Sequence, residues 1–321
     1  FMGQQWDGGD IAFRPETWAA FLPLLHDGAI CMAFAGTRGY HRMATAIEDA
    51  GYILHPMLVW AQGSGFPKAT RIPNNTDFAG HRYGLQAIKP SLEPICVFQK
   101  PYRGKTVECI VRTGAGSFNI DASRIGTSEK LGRPQSEQHF FKGLANNTYN
   151  DNSNGGRWTS NLLLDSESAD MMDRQSGQSV SGNNRVERGL GGIWNAGNGV
   201  PCGQQYGDTG GASRYFFQSD WEAEEHDPLF YCAKAGRRER DSGLEGMPLV
   251  RTSLDLPQGG IQAGNRRGNM THNPHPTVKP LRLTKYLASI LIPPDIYAPR
   301  RILIPFAGAF SAGIGAMLAG W

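Results

Sequence analysis

The chain has 321 residues, of which 40% are hydrophobic, and a formal net charge of +3 at pH 7. That length and apolar content suffice for a substantial core, and so mild a charge excludes a histone-like basic protein while permitting nucleic-acid binding. The five cysteines (Cys31, Cys96, Cys109, Cys202, Cys232) are scattered without a Cys-x-x-Cys pair, and there is no signal peptide or long apolar run. Reduced thiols, no metal site, no membrane span and a cytoplasmic location are therefore expected.

In chain order, Trp18, Phe21, Leu22 and Leu25 lie at i, i+3, i+4 and i+7, one face of a helix that Pro23 should kink or shorten. Asp27-Gly28 ends it. Ala29 to Ala35 then reads as a strand buried on both faces. Thr37 is the expected N-cap of a helix over Tyr40–Ala50 that Gly51 stops, and Leu54 to Trp60 is a second buried strand. This alternation predicts an α/β fold, a doubly wound and largely parallel sheet with helical crossovers. Residues 63–94 read as loop and Pro94 to Lys100 as a short strand. The stretch 126–228 is rich in Asn, Gly, Ser and Gln, with apolar islands at Trp158, Leu162–Leu164 and Tyr215–Phe217, and reads as a loop-rich module. Order is expected to return in a strand at Pro228–Ala235, followed by the basic run Lys234, Arg237, Arg238 and Arg240.

The C-terminal segment carries the most information. His275-Pro276-Thr277-Val278-Lys279-Pro280 leads into an apolar helix ending near Ile292. A short apolar strand at 302–305 then runs into the turn Pro305-Phe306-Ala307-Gly308-Ala309-Phe310-Ser311-Ala312-Gly313 and a helix from Ser311 to Ala319. A strand ending in a glycine-containing turn that opens a helix offers backbone N–H groups to a carboxylate or phosphate. No Gly-Lys-Ser/Thr follows, so this is not a P-loop, and its glycines are too far apart for a dinucleotide fingerprint. Thr277 and Lys279 offer a hydroxyl and a cation on a backbone stiffened by two prolines, and Pro280 also suits the first turn of the following helix.

These motifs resemble the S-adenosylmethionine-binding half of amino-methylating DNA methyltransferases of the permuted class, in which the catalytic strand precedes the cofactor loop. The N-terminal part is similar to phage- and prophage-type adenine-N6 or cytosine-N4 methylases, through Phe1-Met2-Gly3-Gln4-Gln5-Trp6-Asp7, Ala33-Phe34-Ala35-Gly36-Thr37-Arg38-Gly39-Tyr40 and Gly63-Ser64-Gly65-Phe66-Pro67-Lys68. Lys89-Pro90-Ser91-Leu92-Glu93-Pro94-Ile95, Gly211-Ala212-Ser213-Arg214-Tyr215-Phe216 and Ala233-Lys234-Ala235-Gly236-Arg237-Arg238 continue the pattern. The resemblance implies S-adenosylmethionine as cofactor, held by His275, Thr277, Lys279, Pro280, Pro305, Phe306, Ala307, Gly308, Ser311 and Gly313. It implies double-stranded DNA as partner, with Arg237, Arg238, Arg240, Arg266 and Arg267 on phosphates. It also divides the chain into a methyltransferase part over 1–100, a target-recognition insertion over 101–270 and a cofactor-binding part over 271–321.

The chain departs from that pattern in two places. Ile304 stands where the family has Asp, Ala309 where it has Ser, and Phe310 where it has a second Gly, which removes a polar contact and crowds the turn. The catalytic Asp/Ser-Pro-Pro-Tyr tetrapeptide is absent, and the resemblance places it just upstream of Phe1, so that a chain cut at both ends and inactive by itself is expected. In such enzymes that tetrapeptide holds the acceptor amine of a flipped-out base beside the sulfonium methyl of the cofactor. The alternatives are a non-catalytic DNA-binding relative of a methylase, a Rossmann-type oxidoreductase, and methylation of RNA or protein amines.

Overall fold

The computed structural model describes residues 9–63, 67–73, 77–125, 156–180, 209–218, 235, 237–251, 270–273, 275 and 278–321. Helix α1 (Pro15–Ala19) starts with Pro at N1 and is as short as Pro23 requires; a 3-10 turn over Leu22–Leu24 follows it. Gly28, at φ 76°, turns the chain into β1 (Ile30–Phe34). Helix α2 (Tyr40–Asp49) begins after Gly39, not at Thr37, and no side chain caps it; Gly51 ends it at φ 96°. Strand β2 (Ile53–Ala61) follows, then a hairpin of β3 (Lys68–Arg71) and β4 (Arg82–Gln86), and β5 (Leu92–Gln99). Helix α3 (Thr106–Thr113) ends at Gly114, in the left-handed region.

The central sheet has five strands in the order β1-β5-β2-β6-β9, where β6 is Leu162–Leu164 and β9 is Phe217–Gln218. β5 runs antiparallel to both β1 and β2, whereas β2, β6 and β9 are mutually parallel, so four of the five strands point one way. The ladder between β2 and β5 slips between His55 and Leu58, beside Pro56, which has no N–H to donate. Two of the apolar islands of the loop-rich stretch, at Leu162–Leu164 and Phe217, are thus built into the main sheet, whereas Trp158 lies outside any strand and half exposed. Between them lie α4 (Ser166–Ser176) and the short pair β7 (Ser179–Val180) with β8 (Thr209–Gly210). Of the strand expected at 228–235, only Ala235 lies within the described residues.

After α5 (Arg237–Asp241) come β10 (Val250–Arg251), paired with β11 (Met270–Thr271), then α6 (Leu281–Leu291) and α7 (Ser311–Leu318). β5 shows why the fold has three layers. Its Cys96 and Phe98 face Trp18, Met43 and Ile47 of α1 and α2, while Ile95 faces Leu283, Tyr286, Leu287 and Ile290 of α6. Those four α6 residues repeat at helical spacing, and burying each aliphatic one contributes about 1.5–3 kcal/mol. Phe217 of β9 stacks on Tyr286 at 3.6 Å between ring centroids, which ties the added strand to the same helix.

The strand expected at 302–305 does not form. A strand exists only through a neighbour's ladder; residues 301–304 pair with no described strand, and Ile302 and Leu303 stay about half exposed. The outer edge of β1 likewise has no partner among the described residues. Among those residues, no helix is long and apolar enough to cross a membrane, and no group of three or more His, Cys, Asp or Glu side chains converges on a metal position.

Candidate functional site

The C-terminal ends of parallel strands, where an α/β sheet binds ligands, are marked here by a partly buried ion pair on aromatic rings. Phe34 ends β1, and Trp60 sits near the end of β2 opposite Glu93 of β5. Onto this edge comes Lys279. Its ammonium pairs with the Glu93 carboxylate and lies 4.6 Å from the Phe34 ring centroid and 5.7 Å from that of Trp60. Gln62 donates from Nε2 to the other Glu93 oxygen at 3.2 Å. Beside it the fully buried Asp165 accepts the Gly63 N–H at 2.8 Å and 3.1 Å and caps α4 through the Ser168 N–H at 2.7 Å. Lys279 therefore ties the C-terminal segment to the sheet edge.

The His275–Pro280 segment and the 305–313 turn meet. The Lys279 N–H donates to Ser311 Oγ at 3.4 Å, and Thr284 Oγ donates to the Ser311 carbonyl at 3.0 Å. His275 lies against Gly308, whose φ is 52°; a Cβ there would come within 2.9 Å of His275 Nε2. Burial first, then the charges of Arg240 and Lys279, hold the His275 pKa below its ordinary value. Helix α7 opens after Phe310 without a side-chain cap, so the N–H groups of its first turn face outward from the turn. Gly313 and Gly315 permit close packing. A Cβ on Gly313 would overlap the Phe310 ring, and one on Gly315 would overlap Thr284 Oγ. Phe310 itself adopts φ 60°, ψ 17°, a left-handed conformation that costs an aromatic residue about 1 kcal/mol or more. The crowding expected of Phe310 is thus relieved by Gly313, with half the ring still exposed. Pro305 and Phe306 are exposed at the start of the turn, and Phe306 makes edge contacts with Trp18 and Phe21. Pro280 is buried and serves as N-cap of α6; Ala307 accepts the Phe310 N–H at 2.7 Å. Thr277 lies outside the described residues.

Helix α5 has a role that its charges concealed. Asp241 accepts from Thr271 Oγ at 2.6 Å and from the His272 and Asn273 N–H groups at 2.9 Å. Arg240 donates to the carbonyls of Asn273 at 2.8 Å and His275 at 2.7 Å. Glu239 accepts the Leu281 N–H at 2.7 Å, giving α6 the cap that Pro280 cannot; burial raises its pKa despite that hydrogen bond. Three successive side chains thus brace Thr271, His272, Asn273, His275 and Leu281. Arg240 faces inward onto that backbone, whereas Arg237 and Arg238 are exposed. Arg266 and Arg267 lie outside the described residues. Sequence reading noted the Arg run and passed over Glu239 and Asp241, since their partners lie some 30–40 residues away. Asp165 carried a local signal, an acid directly preceding a helix. Cys31 and Cys96 lie on β1 and β5, and burial pushes their thiols up to about 12 and about 11, which disfavours the reactive thiolate.

Comparison with known proteins gives a partial likeness. No family model matches the chain. Over 117 residues it is 29% identical to the type II methyltransferase M.HindIII of Haemophilus influenzae, a match covering 32% of this chain and 37% of that protein. The chain thus matches little more than a third of that relative's length. Among solved structures it aligns with that of the M1.HpyAVI–SAM complex over 39% of this chain and 43% of the other, at 16% identity and a TM-score of 0.22, too low to carry an argument.

Proposed function

We propose that the chain belongs to an S-adenosylmethionine-dependent DNA methyltransferase that modifies an exocyclic amine, adenine N6 or cytosine N4. The observation that carries this reading is the meeting of the His275–Pro280 segment with the Gly308-containing turn at the C-terminal end of the sheet. The partial identity to a type II methyltransferase supports it. The residues suit the cofactor. Gly308 leaves backbone accessible, and the uncapped first turn of α7 offers N–H groups to a carboxylate. In this reading Gly308 and Ser311 hold the cofactor, His275 and Phe306 flank it, Gly313 makes room for the Phe310 ring, and Lys279 positions the segment through Glu93. When bound, the cofactor supplies an electrophilic sulfonium methyl. Arg237 and Arg238, with Arg266 and Arg267, supply phosphate contacts to duplex DNA.

Calorimetric titration of the chain with S-adenosylmethionine tests this. Saturable binding weakened about tenfold or more in Gly308→Ala is expected, because the new Cβ meets His275 and φ 52° disfavours a side chain. Absence of binding, or equal binding by the variant, would overturn it. One observation favours a second reading, a DNA-binding methylase relative without catalysis: Phe310 covers Gly313 in the turn. That reading predicts DNA binding with no cofactor binding.

A further inference from the structure

The β3–β4 hairpin belongs to no part of the site described above. It leaves the sheet after Gly63 and returns at Leu92, so it is rooted at the edge that carries Trp60, Glu93 and Lys279. Among the described residues neither strand packs broadly on any element but the other. Residues 67–89 contain four cations, Lys68, Arg71, Arg82 and Lys89, against the single carboxylate of Asp77, a surplus equal to the net +3 of all 321 residues. Arg71 and Arg82 are directly opposed across the ladder, next to the Thr70–Tyr83 pair, and both are exposed. Like charges facing each other on one face of a hairpin are destabilising. No carboxylate among the described residues bridges this pair. Tyr83 is 56% and Leu85 80% exposed, an unusual apolar load for a two-stranded arm in water.

We propose that this hairpin is a nucleic-acid-binding arm in which Arg71 and Arg82, on one face of the ladder, share a backbone phosphate of duplex DNA. This rests on the reading of the chain as part of a DNA-modifying enzyme and adds a contact surface to it. A phosphate between two guanidinium groups turns their repulsion into two charge-assisted interactions, and the planar fork suits phosphate oxygens. An arm rooted at the rim of the cofactor site engages DNA close to where a base must be presented.

The test is fluorescence anisotropy of a labelled 20-base-pair duplex titrated with the chain across a salt series, with polyglutamate as a competing polyanion. In Arg71→Gln/Arg82→Gln the slope of log K against log salt should become shallower by about 1, the loss of one neutralised phosphate, with affinity at about 0.1 M salt falling about tenfold. Arg71→Lys/Arg82→Lys should restore most of the slope. The Gln pair should melt no lower than the parent, because it removes a like-charge contact. An unchanged slope in the Gln pair, no salt-dependent duplex binding by the parent, or dependence on the pair for polyglutamate but not for duplex would each overturn the proposal. S-adenosylmethionine titration of the same proteins keeps the two ideas apart. Its failure in the parent removes the methyltransferase reading, whereas the slopes decide the hairpin.

Discussion

Replacing Lys279 with Met should cost stability, and the structure sets the amount. The ammonium makes a charge-assisted hydrogen bond to Glu93, of the kind that contributes about 1.5–3 kcal/mol. It also sits over Phe34 and Trp60, where each partly desolvated cation–π contact adds about 0.5–1 kcal/mol. Its side chain is 16% exposed and that of Glu93 23%, so truncating one partner leaves the other poorly solvated. The expected loss for Lys279→Met is about 2–4 kcal/mol, and for Glu93→Gln, which keeps the shape and an acceptor, about 1–2 kcal/mol. The two should not add. Urea denaturation of both single variants and the double variant closes a cycle whose coupling energy should be about 1–3 kcal/mol. Additivity within about 0.5 kcal/mol would refute the claim that Lys279 is a tie to the sheet edge.

Three further outcomes follow from the same geometry. Gly315→Ala should destabilise by about 1–3 kcal/mol through overpacking between α6 and α7. Adding Thr284→Ala should recover only part, because the new Cβ would still lie 2.7 Å from the Lys285 backbone nitrogen, and an unchanged urea midpoint in the single variant would contradict this. Arg240→Ala should speed hydrogen exchange over residues 271–281, and Lys should not rescue it, since a point charge cannot reproduce the fork onto two carbonyls; unaltered exchange there would remove the bracing role of α5. His275 is held below its ordinary pKa of 6.5 in the folded chain, so the unfolded state binds the extra proton first. Its contribution is therefore full above about pH 6.5 and is lost as pH falls through the folded value; a stability–pH profile in that window should flatten in His275→Gln, and identical profiles would refute the assignment.

The elements that sequence revealed are those whose cause is local. Leu283, Tyr286, Leu287 and Ile290 announce α6 by spacing, Pro23 shortens α1, and the apolar runs of β1 and β2 sit within a residue or two of their predicted bounds. Strand direction left no such trace. Nothing in Leu92–Gln99 shows that it inserts antiparallel between β1 and β2, because direction is a property of the ladder. β6 and β9, of three and two residues, are too short for a period to register, and they join the sheet only because β2 and α6 offer an edge and an aromatic face. Conversely, residues 302–305 have strand composition and pair with no strand among the described residues. In the site, Gly308 and the His275 segment were legible as motifs, whereas the pairing of Lys279 with Glu93 joins residues 186 apart and no local pattern encodes it.

Titrating S-adenosylmethionine into isotopically labelled chain and following backbone amide resonances addresses the central claim most directly. The account predicts saturable shifts concentrated at Gly308 to Gly313 and at His275 to Lys279, with β9 and α3 unmoved. Shifts confined elsewhere, or none at a large excess of cofactor, would contradict it.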